Sequence, residues 1–264
     1  MAEYISNYVI TSKNNPTIKD IKEYLTSSKE RRKDKIFVLE GVRLCCDALK
    51  SNCRIISVFV TEECRRKYAD DIEFLKAGCV DFYTVSDDVL KSMCDTVNPQ
   101  GVVCTVAMKH NTFEYERGKK YIALDTIQNP DNLGAISRTA EAFGVDGMII
   151  CGGCDIYNPK ALRASMGALY RLPVKVCHSL EEELEKCKNM GISSFATVPD
   201  RDAKDITKTD FSKGAFCIIG NEGNGISQEI IDLCDEKITI KMSGRAESLN
   251  AAAAASITMW ELVK

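Results

Sequence analysis

From residue 120 onward, six short apolar runs are separated from one another by stretches with helical spacing, and this alternation restricts the chain more than any other feature. The runs are YIALDTI, GMIICGG, PVKVC, SSFATV, FCIIG and KITIKM. Strands joined through helices run the same way, because each crossover brings the chain back to its starting edge. A doubly wound parallel sheet is therefore expected, with ligands in the crevice beyond the carboxyl ends of its strands. The intervening helices carry their own signals. Asn132 reads as the N-cap of a helix that runs to Phe143 and closes at Gly144, and Pro159 opens the next. Ser179 and Glu182 form a capping box, and an alanine-rich helix ends the chain.

The first hundred residues show a smaller version of the same pattern. Ile18, Ile21 and Leu25 have helical spacing, and a basic run from Lys29 to Lys35 follows. Strand IFVLE, a helix with Val42, Cys45 and Leu49 inward, and strands RIISVFVT, VDFYTVS and GVVCTVAM come next. The stretch KHNTFEYERGKK is polar and without period, as in a linker. The expected organisation is a small α/β domain over 1–108, a linker over 109–119 and a second α/β domain over 120–264.

The formal net charge of −3 gives no overall attraction to nucleic acid, so an RNA partner has to be held by a local basic patch. The 13 cysteines are odd in number and spread through strands and helices, and no signal peptide precedes them. Free thiols and a cytoplasmic setting are expected. Cys151 and Cys154 form a lone CxxC, and with only His110 and His178 as histidines no metal site is expected. No 18 apolar residues occur together, which predicts no membrane span.

Three loops at predicted strand ends stand out: DTIQNPDNLGAISRTAEAFG, IIGNEGNGIS and IKMSGRAESLNAAAAAS. In the first, Leu133, Ile136, Ala140 and Phe143 share an apolar face and leave Arg138 opposite; on position alone Arg138 reads sooner as a solvated surface residue, since arginines are mostly exposed. In the second, Gly220, Gly223 and Gly225 suit a close backbone approach, although a plain glycine turn has the same composition. The loop is neither GxGxxG nor GxxxxGK[ST], and Glu222 would repel polyphosphate. In the third, Ser248 and Asn250 stand before a helix, where capping alone would explain either residue.

Together, in this order and spacing, the three loops resemble the signature motifs of the SpoU/TrmH family of RNA ribose 2′-O-methyltransferases, within the SPOUT superfamily. Segments ITSKNNPTIKDIKEYL, FVLEGVRL and VNPQGVV resemble the ribosomal-protein-like RNA substrate-binding domain that many members carry. One departure is visible: members commonly have Val and Ser after Ser-Leu-Asn, where this chain has only alanine. The resemblance implies a SPOUT α/β methyltransferase domain with a parallel sheet and a C-terminal trefoil knot. It also implies a homodimer, RNA (ribosomal RNA foremost) as partner, and S-adenosyl-L-methionine as cofactor. Transfer RNA as substrate, and a non-catalytic RNA-binding protein of the same fold, are the alternatives.

Carried over position by position, the resemblance implies catalytic roles for Asn132, Arg138, Glu222, Ser248 and Asn250. Thr197, Gly220, Asn221, Gly225, Ile240 and Leu249 would surround the cofactor. A guanidinium rarely gives up its proton, so Arg138 reads first as a stabiliser of the developing alkoxide and second as a base. Glu222 would hold Arg138 or Asn132 in place, or itself take the proton. RNA contacts are expected from Lys29, Arg31 and Arg32 in the basic run, and from Lys160, Arg163 and Arg171.

Overall fold

A computed structural model of the protein describes residues 9–109 and 112–264, so the first eight residues, His110 and Asn111 lie outside it. The chain divides into two compact units, one of residues 1–109 with 157–163, the other of 110–156 with 164–264.

In chain order the first unit contains β1 (Val9–Ile10), α1 (Pro16–Thr26), α2 (Ser28–Asp34), β2 (Ile36–Glu40), α3 (Val42–Lys50) and β3 (Ile55–Val60). It continues with α4 (Glu62–Lys67), α5 (Ala69–Gly78), β4 (Cys79–Val85), α6 (Asp87–Lys91) and β5 (Val102–Ala107). Its sheet has the order β1-β4-β3-β5-β2, and β5 runs antiparallel to both neighbours. The alternation alone did not reveal that reversal. α6 is only a short turn of helix, and the loop behind it returns the chain in the opposite sense.

The second unit contains β6 (Lys120–Asp125), α7 (Pro130–Phe143), β7 (Gly147–Cys151), α9 (Ala168–Arg171), β8 (Val174–Cys177), α10 (Leu180–Asn189) and β9 (Ser193–Thr197); the intervening helix α8 (Pro159–Ala164) falls with the first unit but for its last residue. After these come β10 (Lys204–Asp205), β11 (Ala215–Ile219), α11 (Gln228–Leu233), β12 (Glu236–Thr239) and α12 (Ala251–Val263). All pairings in the sheet β10-β12-β9-β11-β6-β7-β8 are parallel, as expected. The central strand β11 is buried along its whole length, which is why its sequence is a continuous apolar run rather than an alternating one. The two-residue edge strand β10 is polar and was not visible as a strand in the sequence.

One local expectation is corrected. Asn132 is not the cap of α7. Asn129 accepts from the Asp131 N–H at 2.8 Å and Pro130 takes the first helical position, so the helix begins earlier and Asn132 lies within its first turn. The stretch before β6 is polar in composition and is anchored by its aromatics. Phe113 stacks on Tyr121 at 5.4 Å, and Tyr115 is buried with its hydroxyl donating to the buried Glu183 at 2.5 Å.

The alanine run has a steric reason. Ala251 and Ala255 turn inward with Met259 and Leu262, and α12 packs against α7, β6 and β11. Small side chains at the inward positions let the helix lie close to the sheet, while alanine's propensity favours the helix itself. The opposite stripe, Ala253, Ile257 and Trp260, is exposed.

The thirteen cysteines are reduced thiols rather than disulfides. Burial pushes the thiols of Cys46, Cys177 and Cys187 up to about 12, which leaves them un-ionised small hydrophobes. Cys151 and Cys154 flank a tight turn: Gly152 and Gly153 have positive φ, and the Cys154 N–H donates to the Ile127 carbonyl at 2.7 Å. Among the described residues no group of His, Cys, Asp and Glu could hold a metal ion, and no helix is long and apolar enough to cross a membrane.

Candidate active site

The carboxyl ends of β9, β11 and β12 open into a cleft of about 550 Å³. Its wall includes Thr197, Gly220, Asn221, Gly225, Ile240, Ser248 and Leu249, all expected at a cofactor site or beside it. Asp200 and Lys237, 3.0 Å apart, also line it and had no sequence signal.

The glycine loop is held by its own backbone. Asn221 and Gly225 exchange two N–H···O bonds of 3.0 Å, and Gly225 has φ +68°. A Cβ on Gly220 would lie 2.4 Å from the Gly225 carbonyl carbon and 2.5 Å from the Ile226 nitrogen. Glycine is needed at 220 to close the loop on itself, not to clear space for a ligand. Asn221 is equally committed within the protein. Its Oδ1 accepts from the Gly223 and Asn224 N–H groups at 2.9 and 3.1 Å, and its Nδ2 donates to the Thr126 carbonyl at 2.7 Å. Thr126 is in the left-handed region, φ +52°, so strain is stored where the β6 and β11 loops meet.

Glu222 joins these loops through its carboxylate. Oε2 accepts from the Gln128 N–H at 3.0 Å; Oε1 accepts from the Asn129 N–H at 3.0 Å and from Asn132 Nδ2 at 2.9 Å. Burial pushes the carboxyl up, but the donors from Gln128, Asn132 and Asn129 outweigh it and hold the group below the usual carboxylate range. A carboxylate so satisfied is a poor proton acceptor and a good brace. Asn132, 7 % exposed, passes the connection on: its Oδ1 accepts from Asn250 Nδ2 at 3.1 Å. Asn250 Oδ1 in turn caps α12 by accepting from the Ala252 and Ala253 N–H groups at 2.9 and 3.3 Å. One side-chain chain thus ties the first, second and third motif loops together, and each amide is oriented by its partners.

Arg138 is not drawn into this chain. It is exposed on α7, and among the described residues no ion pair engages it. The expected RNA contacts divide. Lys29, Arg32 and Lys160 are exposed. Arg31 is corrected: it is 3 % exposed and donates to the Tyr24 carbonyl at 2.5 Å, so helix geometry turns it inward while its neighbours face out. Arg163 pairs with Asp95 at 2.5 Å, and Arg171 forks onto Glu141, with one contact at 2.7 Å. Both guanidinium groups are already occupied by carboxylates.

The donor set of the cleft fits a nucleoside ligand with a cationic centre. Asp200, Glu222 and Glu247 line the cleft with a single amine, Lys237, which is itself paired with Asp200, a balance that disfavours polyphosphate. Thr197 Oγ1 is buried without a partner and awaits one. A parallel, doubly wound sheet with such a cleft at its strand ends defines a nucleoside-binding α/β domain, accompanied here by a second α/β unit.

Comparison with known proteins makes the class specific. The SpoU rRNA Methylase family profile matches residues 119–260, and that of the MRM3-like substrate binding domain matches residues 15–104. The 23S rRNA (guanosine(2553)-2′-O)-methyltransferase RlmP of Bacillus subtilis is 32% identical over 96% of this chain and 98% of its own length. An uncharacterized tRNA/rRNA methyltransferase of Synechocystis is 34% identical over 96% and 92%. Among solved structures, the AdoMet-bound rRNA methyltransferase from Sinorhizobium meliloti superposes with TM-score 0.85 at 29% identity, covering 97% of both chains. The SpoU methyltransferase AviRb from Streptomyces viridochromogenes, in complex with AdoMet, gives 0.83 at 26% identity, covering 94% and 97%. The chain belongs to the SpoU rRNA methylase family.

Proposed function

We propose that this protein is an S-adenosyl-L-methionine-dependent methyltransferase acting on a ribose 2′-hydroxyl of ribosomal RNA. The observation that carries the reading is the Glu222–Asn132–Asn250 chain beside a cleft built for a nucleoside with a cationic centre. When bound, S-adenosyl-L-methionine supplies an electrophilic methyl group. Thr197 Oγ1, with the main chain around Gly220, Ile240 and Leu249, would hold it. Asn132 and Asn250, fixed by Glu222, orient the ribose, and Ser248 offers a hydroxyl at the same edge. Arg138 stabilises the charge developing on the ribose oxygen through its guanidinium, and Glu222 acts as the brace rather than the base.

Residues 1–108 act as the RNA substrate-binding domain, 109–119 as the linker and 120–264 as the methyltransferase domain. The chain end threads a preceding loop as a trefoil knot, and the protein works in the cytoplasm as a homodimer. The exposed stripe of Ile257 and Trp260, 38 % and 53 % accessible, supports the dimer, since apolar side chains in register on one helix suit a self-complementary contact. Pairing through α7 and α12 would also give the free Arg138 a site to act on. The test is calorimetric titration with S-adenosyl-L-methionine, combined with 2′-O-methyl mapping of RNA in cells with and without the gene. Binding together with loss of one ribosomal methyl mark is expected. Absence of either refutes the reading. Arg138→Ala should lower the rate at saturating RNA and cofactor by about 10²–10³; a rise in the Michaelis constant alone would make Arg138 an RNA anchor instead.

A further inference from the structure

We propose that the N-terminal unit captures an unpaired nucleotide of the substrate RNA in a cleft at the carboxyl ends of β3 and β4, an inference that rests on the RNA-methyltransferase reading above. The cleft measures about 430 Å³ and is walled by Lys67, Tyr68, Asp87, Lys91, Asn98 and Gln100. That combination supplies each contact a single nucleotide needs: an aromatic face, amines for phosphate, and both a donor and an acceptor for a base edge.

The loop that forms one wall is held in shape without a ligand. At its near end Glu40 accepts the N–H groups of Asp95 and Thr96, at 3.1 and 3.4 Å, and the Thr96 hydroxyl. At its far end Gln100 Oε1 accepts from the Val42 N–H at 3.0 Å, standing in for the cap that Gly41 cannot provide. The Thr61 N–H donates to the Gly101 carbonyl at 2.9 Å. Gly101 has φ +93°, and a Cβ there would come within 2.6 Å of Cys64 Cβ, so the loop lies flush on the start of α4. Between these anchors Asn98 is exposed and Val97 is 91 % exposed. A preformed cleft loses less entropy on binding than a loop that must first be ordered.

The chemistry of the wall narrows the ligand. Because the oxygen of the Gln100 amide is bound inward, its NH₂ is the end left to donate, while Asp87 accepts; a base edge with both functions suits the pair. Lys67 Nζ lies over one face of the Tyr68 ring, 5.3 Å from its centroid, so a base stacks on that face by displacing the flexible lysine, whose amine is then free to meet the nucleotide's phosphate. Asp87 and Glu63 in the same wall argue against a free phosphate or a bare polyanion. A duplex is also unsuited, since its base faces are stacked and its edges paired.

The test uses the full-length protein and a fluorescein-labelled unstructured RNA 10-mer, free or annealed to its complement, read by anisotropy. Tyr68→Ala should weaken single-strand binding by about 10-fold. Tyr68→Phe should retain it, and duplex affinity should be the same for all three proteins. In methylation of ribosomal RNA, Tyr68→Ala should raise the RNA concentration for half-maximal rate by a similar factor and leave the saturated rate unchanged. The proposal is overturned by unaltered single-strand affinity in Tyr68→Ala, by equal losses for duplex and single strand, or by a Phe variant as weak as Ala. Failure of the methyltransferase reading shows separately, as a wild-type protein that binds no S-adenosyl-L-methionine whatever its RNA preference.

Discussion

Replacing Glu222 with Gln separates a brace from a base. The substitution keeps the shape and one oxygen, which can still accept from the Asn129 N–H and from Asn132 Nδ2. The other oxygen becomes an NH₂ facing the Gln128 N–H, so one charge-assisted bond is replaced by two opposed donors. Hydrogen bonds to a charged group contribute about 1.5–3 kcal/mol each, and less where water competes, as at this half-open carboxylate. Losing one and weakening two should cost about 1–2 kcal/mol of alignment at Asn132 and Asn250, or roughly 5–30-fold in rate. Removal of a general base typically costs ~10²–10⁴. Single-turnover methylation at saturating RNA and cofactor, measured across pH, reads the difference. A loss above about 10²-fold, together with disappearance of an acidic limb from the wild-type profile, would make Glu222 the base and refute the brace.

Other substitutions test neighbouring parts of the argument. Gly220→Ala should unfold at lower temperature and bind S-adenosyl-L-methionine weakly, because its Cβ meets the Gly225–Ile226 backbone; a variant with wild-type melting and affinity would remove that constraint. Glu183 is buried and accepts from Tyr115, Lys186 and Lys175; burial raises its pKa, but these donors outweigh it and lower it overall. Its stabilisation is therefore fully present above the unfolded value of about 4.3 and lost as pH falls through the lower folded value. Urea unfolding of Glu183→Gln should show about 3 kcal/mol less stability at pH 7 and a flatter acid limb, with an unchanged limb counting against the assignment. Arg31→Ala should destabilise the protein without changing the salt dependence of RNA binding. Arg32→Ala should do the reverse, reducing the log–log salt slope by about one.

Much of the second unit was legible in the sequence because its constraints are local or periodic. Continuous apolar runs such as Ala215–Ile219 belong to strands buried on both faces, and their alternation with helices fixed a parallel sheet before any contact was known. The motif loops stood out in a few letters, as an asparagine before a helix, clustered glycines and a lone arginine, but only their resemblance to the SpoU/TrmH family implied which of those residues act. Their connections were not visible. Glu222 meets Asn132 across 90 positions, and Asn132 meets Asn250 across 118, so only the folded sheet decides that Glu222 braces the amide and leaves Arg138 free. Side-chain direction was equally hidden. Arg31 and Arg32 read alike in a basic run, yet successive positions on a helix point about 100° apart, and that rotation buries one and exposes the other. Composition shows the stretch before β6 only as polar, and the partners that anchor Phe113 and Tyr115 arrive only with β6 and α10. What sequence determined here was the set of elements and reactive groups. Tertiary structure decided which groups hold each other, because those contacts form between strand ends that lie far apart along the chain.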